Sequence, residues 1–231
     1  MNPKYAKYER IGLPDARPVV VRERKPIPKW MWILAMAVVT YGAWHLWQAH
    51  LNYDGPVRNS PPPNATIYML GDSMTAGFGA DPGRDLVTLL SQKIGRSIIN
   101  GGVNGDTTGG AVGRIPEMLR HNPGTVIVAL GGNDLLRNVS VSDAEQNLST
   151  IIEAAQRKGA MVVIIGLSGR PTDGYASMYA RLARKYDCVL VADVLKDIFF
   201  DARYKADYIH PNSLGYELMA SRIAEKIQKY L

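Results

Sequence analysis

The chain has 231 residues, enough for one folded domain with extensions. Its formal charge of +6 invites a nucleic-acid partner, but eight basic and three acidic residues before residue 52 hold +5 of it, leaving +1 for the other 180 residues; with no DNA- or RNA-binding motif, nucleic acid is excluded. One cysteine, Cys188, rules out an internal disulfide framework, and together with four scattered histidines it offers no metal-site spacing.

Residues 1–29 form a polar, basic, proline-marked tail. The run 30–47, WMWILAMAVVTYGAWHLW, then contains no charged residue. Eighteen residues of helix would span roughly 27 Å, close to the ~30 Å hydrocarbon core. Its tryptophans, Trp30, Trp32, Trp44 and Trp47, cluster at the two ends as an interfacial belt would. A cleaved signal peptide is the rival reading. Against it stand the long basic flank and the lack of an A-x-A site, since Trp47-Gln48-Ala49 puts a tryptophan where a small side chain is needed. The expectation is therefore one N-terminal transmembrane helix over 30–50, an uncleaved signal anchor. The basic flank puts the N-terminus in the cytoplasm. The protein is then expected to be a single-pass inner-membrane protein whose C-terminal portion is periplasmic or otherwise extracytoplasmic. Residues 51–65, with Ser60-Pro61-Pro62-Pro63, read as a semi-rigid linker.

From residue 66 onward, apolar runs alternate with amphipathic stretches. Strands are expected at 66–70, 97–100, 125–130, 161–166 and 188–192. Helices are expected at 84–94, 107–120, 142–158, 174–186 and 212–230. The runs 126–130 and 161–165 are apolar throughout, as parallel strands covered on both faces should be. Ser142-Asp143-Ala144-Glu145 reads as a capping box starting the third helix, and Lys158-Gly159 as its stop. Cys188 falls in a strand as a buried thiol. The alternation predicts a doubly wound α/β sandwich over 66–231.

Four stretches fall on loops at the C-terminal ends of strands or just before the last helix. They are Gly71-Asp72-Ser73, the run 100–107 (NGGVNGDT), Gly131-Gly132-Asn133-Asp134, and the run 207–212 (DYIHPN). In a parallel sheet those strand ends share one edge, where ligands bind. The chemistry they support is acyl transfer. A serine hydroxyl needs a base, and His210 is the one histidine on a suitable loop. Asp207, three residues earlier, can accept a hydrogen bond from the other ring nitrogen. The oxyanion needs donors, which the N–H groups of Ser73 and Gly105 and the amide of Asn133 can supply. Asp72 and Asp134 read as carboxylates that bond loop N–H groups and hold those donors, and Asp106 as a cap of the second helix. Leu135 and Leu136 either contact an acyl group or pack under the next helix.

Taken together, these stretches resemble the four blocks of the SGNH (GDSL) hydrolase superfamily, with Ser73, Gly105, Asn133 and His210 one in each. NGGVNGDTT, VIVALGGND and DYIHPN are most similar to its bacterial thioesterase I/lysophospholipase/arylesterase group. The resemblance covers essentially all of 66–231. It implies a flavodoxin-like three-layer sandwich with a five-stranded parallel sheet, and a serine esterase without metal or organic cofactor. It also implies a Ser73–His210–Asp207 triad and an oxyanion hole of Ser73, Gly105 and Asn133. Expected substrates are acyl esters or thioesters, and a monomer is expected. A glycan or peptidoglycan O-acetylesterase or acetyltransferase could use the same residues, and a non-enzymatic anchored module is the remaining reading. Two features depart from the group: the retained anchor, and a shorter loop at 167–174 after the fourth strand.

Overall fold

The computed structural model describes residues 28–51, 53–167 and 174–231. The chain divides into two units, Met1–Ala43 and Trp44–Leu231. The basic tail lies outside the described residues, as does most of the 167–174 loop.

Helix α1 spans Lys29–Leu51, so a helix forms where one was expected. It is apolar around its circumference rather than along one stripe. Its side chains from Trp30 to Tyr41 are exposed. Among the described residues no helix is long and apolar enough to cross a membrane, which corrects the transmembrane reading of 30–50. The reason lies in composition: Trp30, Trp32, Thr40 and Tyr41 each carry a polar N–H or O–H, and they dilute the Ile, Leu and Val content.

In the second unit, five parallel strands form one sheet: β1 (Ile67–Gly71), β2 (Ile98–Gly102), β3 (Thr125–Ala129), β4 (Met161–Ile165) and β5 (Val189–Val191). Their order is β2-β1-β3-β4-β5, the doubly wound arrangement that was expected. Helices α2 (Ser73–Ala76), α3 (Leu86–Ile94), α4 (Thr108–Val112), α5 (Ile115–Arg120), α6 (Gly132–Leu136), α7 (Val141–Arg157), α8 (Tyr175–Tyr186) and α9 (Ser213–Ile227) connect and follow them. Strand side chains alternate between two cores. Tyr68, Leu70, Val126, Val128, Val162 and Ile164 pack with α7 and α8 residues such as Leu148, Ile151 and Leu182. Ile67, Met69, Ile127, Met161, Val163 and Ile165 pack with Leu86 and Leu90 of α3 and with Met219 and Ile223 of α9. Burying such a side chain fully is worth about 1.5–3 kcal/mol. Cys188 is buried just before β5, and burial pushes its thiol up to about 12, so it is inert as a nucleophile.

Three local readings change. The expected helix 107–120 breaks at Gly113-Arg114 into α4 and α5, because the ring of Pro116 in the first turn of α5 cannot continue a helix through Val112. Helix α7 is capped by Ser140, not Ser142: the Ser140 hydroxyl accepts from Asp143 N at 3.0 Å. Helix α4 is capped by Thr107, which frees the Asp106 carboxylate for Arg114.

The proline-containing segment 53–65 is bonded to the domain. The Tyr53 hydroxyl donates to Asp187, Arg58 N to the Asp187 carbonyl, Asn59 Nδ2 to the Gln156 and Ala160 carbonyls, and Asn64 Nδ2 to the Asn122 carbonyl. Asn122, Ala160 and Asp187 lie just before β3, β4 and β5, so this segment runs along the edge where those strands begin.

Candidate active site

Strand order reverses between β1 and β3, opening a crevice at their C-terminal ends. The turn out of β1 is tight. A Cβ at Gly71 would stand 1.9 Å from the Thr75 hydroxyl, so only glycine fits there. Asp72 caps α2 by accepting from Met74 N at 3.0 Å, and Ser73 opens the helix at the cleft. Gly77, at φ 91, ends the helix in the left-handed conformation.

The other side of the cleft is the loop before α9. Lys205 bridges Pro211, and Ala206 N donates to the His210 carbonyl at 2.9 Å, folding 205–211 into a compact bend. Gly79 packs against Ala206 and Pro211, the Tyr216 hydroxyl donates to the Phe78 carbonyl at 2.6 Å, and the Phe78 ring lies 4.4 Å from that of His210. The loop after β1 is thereby held against the loop that carries the imidazole.

These contacts place Ser73 Oγ 2.9 Å from His210 Nε2, and His210 Nδ1 2.7 Å from Asp207 Oδ2. Asp207 Oδ1 also accepts from Ile209 N and His210 N, each at 2.8 Å. Desolvation raises the pKa of Asp207, but the hydrogen bonds from the His210 ring and from both N–H groups outweigh it and bring the carboxyl to about 2. An ionised carboxylate only accepts, so Nδ1 carries the proton and Nε2 is left to accept from the Ser73 hydroxyl. The arrangement can deprotonate Ser73 and hold the imidazolium that results.

Asn133, in α6, donates from Nδ2 to the Asp106 carbonyl at 2.9 Å and stands 3.4 Å from Asp72 Oδ2. Gly131, at φ 115, makes the turn into α6, and a Cβ there would meet the Tyr179 hydroxyl at 2.3 Å. Gly105, at φ 75, is the third residue of a turn closed by Asp106 N to the Val103 carbonyl, a position that favours glycine. Asp134 is fully buried beneath and accepts from Thr108 N at 2.9 Å and the Thr108 hydroxyl at 2.5 Å, tying α6 to α4.

Ser73, His210, Asn133, Asp72, Leu135 and Leu136 all line one cleft of about 440 Å³. Asp207 stands behind His210; Gly105 is not among the residues lining the cleft, and its neighbour Asp106 meets the site through the carbonyl that accepts from Asn133 Nδ2. Leu136 is exposed at the rim, so it does not pack under the next helix. The far wall, Leu195, Phe199, Phe200 and Ile209, was missed in the sequence. The apolar triplet Ile198-Phe199-Phe200 ahead of His210 was the available signal. Among the described residues no group of three or more His, Cys, Asp or Glu is placed to hold a metal ion.

Asp72 is the second carboxylate of the cleft. Burial raises it to about 6, opposed by the Met74 N–H and the His210 charge. Its proton is held more tightly in the folded than in the unfolded chain. Stability linked to it is therefore full below the unfolded value of 3.8 and falls as pH rises through about 6. The loss is about 3 kcal/mol at neutral pH. Asp72→Asn, whose carbonyl keeps the Met74 bond, should unfold at a higher temperature than wild type at pH 7–8 (~pH 7–8 lies above both values). The advantage should vanish near pH 4, read by calorimetry across that range.

Comparison with known proteins agrees with this geometry. The profile of the GDSL-like Lipase/Acylhydrolase family matches residues 69–218. The chain is 30% identical over 159 residues to the esterase TesA of Pseudomonas aeruginosa, covering 63% of this chain and 79% of that protein. It is 28% identical over 173 residues to thioesterase 1/protease 1/lysophospholipase L1 of Escherichia coli K12, covering 71% and 83%. The crystal structure of AlinE4, an SGNH-hydrolase family esterase, superposes with a TM-score of 0.57 at 34% identity, covering 78% of this chain and 99% of that one. A nucleophile turn, an imidazole–carboxylate pair and an Asn-bearing loop on one sheet edge, matched across most of the domain, make this chain a member of the GDSL (SGNH) family of lipases and acylhydrolases.

Proposed function

We propose that the chain is a serine esterase that cleaves acyl esters or thioesters through an acyl-enzyme. Ser73 Oγ attacks the carbonyl carbon as its proton passes to His210 Nε2, and Asp207 holds the imidazolium. The carbonyl oxygen gains the negative charge and is met by the N–H groups of Ser73 and Gly105 and by the Asn133 amide. Collapse breaks the acyl–oxygen or acyl–sulfur bond, and the leaving group takes the proton from His210. Water, deprotonated by the same nitrogen, then releases the acid and restores Ser73. Asp72 and Asp134 hold the loops that carry these donors. The observation that carries this reading is the hydrogen-bonded relay of 2.9 and 2.7 Å at the floor of an apolar cleft.

The walls of that cleft favour longer acyl groups over acetyl. Leu135, Leu136, Leu195, Phe199 and Phe200 offer an acyl chain apolar surface and offer a sugar hydroxyl no partner. Two relatives are named for esterase and for thioesterase and lysophospholipase activities, in keeping with such substrates. Ser73→Ala should lose at least about 10⁴-fold in kcat/KM on a p-nitrophenyl acyl ester. Undiminished turnover would defeat the reading. On a p-nitrophenyl ester series, kcat/KM should rise from acetyl to a maximum between hexanoyl and decanoyl. A profile that collapses beyond butyryl would favour a deacetylase.

Membrane attachment through the N-terminal segment belongs to the same proposal. Its support is the uncharged run 30–47 behind eight basic residues, in a helix that is apolar all round. The full chain should sediment with membranes and resist a high-salt wash. Recovery of the intact chain in the soluble fraction would refute attachment.

A further inference from the structure

Arg114 lies outside the cleft and outside the four motif blocks, yet it sits beneath three of the elements that build the site. It is the residue before α5, and its side chain is 22% exposed against 10% for its partner Asp106. Arg114 Nε donates to Asp106 Oδ2 at 2.9 Å, and Nη2 donates to the same oxygen. Nη1 donates to the Gly101 carbonyl at 2.6 Å, and Nη2 to the Gly71 carbonyl at 3.0 Å. Gly71 is the last residue of β1, directly before Asp72 and Ser73. Gly101 is in β2, and Asp106 directly follows Gly105.

One planar cation thus joins the nucleophile turn to the loop that offers the Gly105 N–H. Its reach extends one step further, because the Asp106 main-chain oxygen accepts from Asn133 Nδ2 at 2.9 Å. Asp106 N also closes the turn that fixes Gly105. The surroundings are shaped for this carboxylate. A Cβ at Gly110 would lie 2.1 Å from Asp106 Oδ1, and that oxygen accepts from Thr107 N at 3.0 Å.

We propose that Arg114 is the positioning residue of the oxyanion hole, holding the Asp106 main chain whose carbonyl accepts from Asn133 Nδ2 and so fixes the Asn133 amide. It touches neither substrate nor reacting atoms. The proposal rests on the acyl-transfer reading and adds to it how the donors are kept in place before substrate arrives. A misplacement of about 1 Å in such a donor can cost about 10²-fold in rate. A lysine cannot replace the fork: it offers a point charge where Arg114 serves three acceptors along fixed directions.

The experiment is a double-mutant cycle in the full chain on p-nitrophenyl butyrate. Asn133→Ala should lower kcat about 10²–10³-fold. Arg114→Gln should lower kcat by about 30–100-fold with KM within about twofold, the split expected of a lost transition-state contact. Arg114→Lys should recover less than about a third of the lost rate. In the double variant Arg114→Gln/Asn133→Ala, kcat should stay within about threefold of Asn133→Ala alone, because both act through one amide. A merely structural ion pair would lower the melting temperature and multiply independently with Asn133→Ala, and that result overturns the inference. So does wild-type kcat in Arg114→Gln. Where Arg114→Gln does not fold, the cycle is run with Asp106→Asn, which removes the carboxylate charge that Arg114 grips and retains the main-chain carbonyl that accepts from Asn133, under the same criteria. Hydrolysis surviving in Ser73→Ala would instead sink the acyl-transfer reading. Loss in Asn133→Ala without loss in the Arg114 variants sinks only the role given to Arg114.

Discussion

Parallel pairing of β1 with β2 on one side and β3 on the other sets Gly71 level with Gly102 and with Ala129. Every loop that follows those strands therefore starts at the same height. Residues as distant in the chain as Ser73 and Asn133 emerge beside each other because the hydrogen-bonded ladder leaves no freedom to slide. A slip of one residue would turn Leu70 and Val128 from one core into the other, at a cost of several buried side chains. The register is thus paid for by the two cores, and the site inherits its precision from them. The last loop, 205–211, has no strand of its own at this level and depends on Gly79, Phe78 and Tyr216 to be brought in.

Two carboxylates face the same imidazole with opposite consequences. Asp207 is wrapped by donors and open to water on one side, so it stays ionised to about 2. Asp72 is 1% exposed with fewer donors, so its charge is costly and its pKa climbs to about 6. Environment rather than residue type separates the two: Asp207 can steady a developing imidazolium, and Asp72 serves as a helix cap.

The sheet was legible in the sequence because parallel strands covered on both faces leave long apolar runs such as Met161–Ile165. The residues that meet at Ser73 were legible because chemistry-bearing types fell after those runs. What escaped has physical causes. Ser140 and Ser142 are both good caps, and only the extended backbone at Ser140 decides between them. The break between α4 and α5 needed Pro116 to be weighed against an otherwise helical pattern. Arg114 reads as one more surface cation until the fold delivers Gly71, Gly101 and Asp106 to it. The span expected over 30–50 rested on the absence of charge, and absence of charge is a weaker property than apolarity when tryptophan and tyrosine fill the run.

The segment 53–65 grips the domain at the edge where strands begin, while the cleft opens where they end. Lys226 near the end of α9 pairs with Asp54 on that same edge. Cargo grafted ahead of Tyr53, whether a bead, a fluorescent partner or a sensor chip, would load the blunt end of the domain and leave the mouth unobstructed. The fold thus comes with its own handle, set on the sheet edge opposite the chemistry.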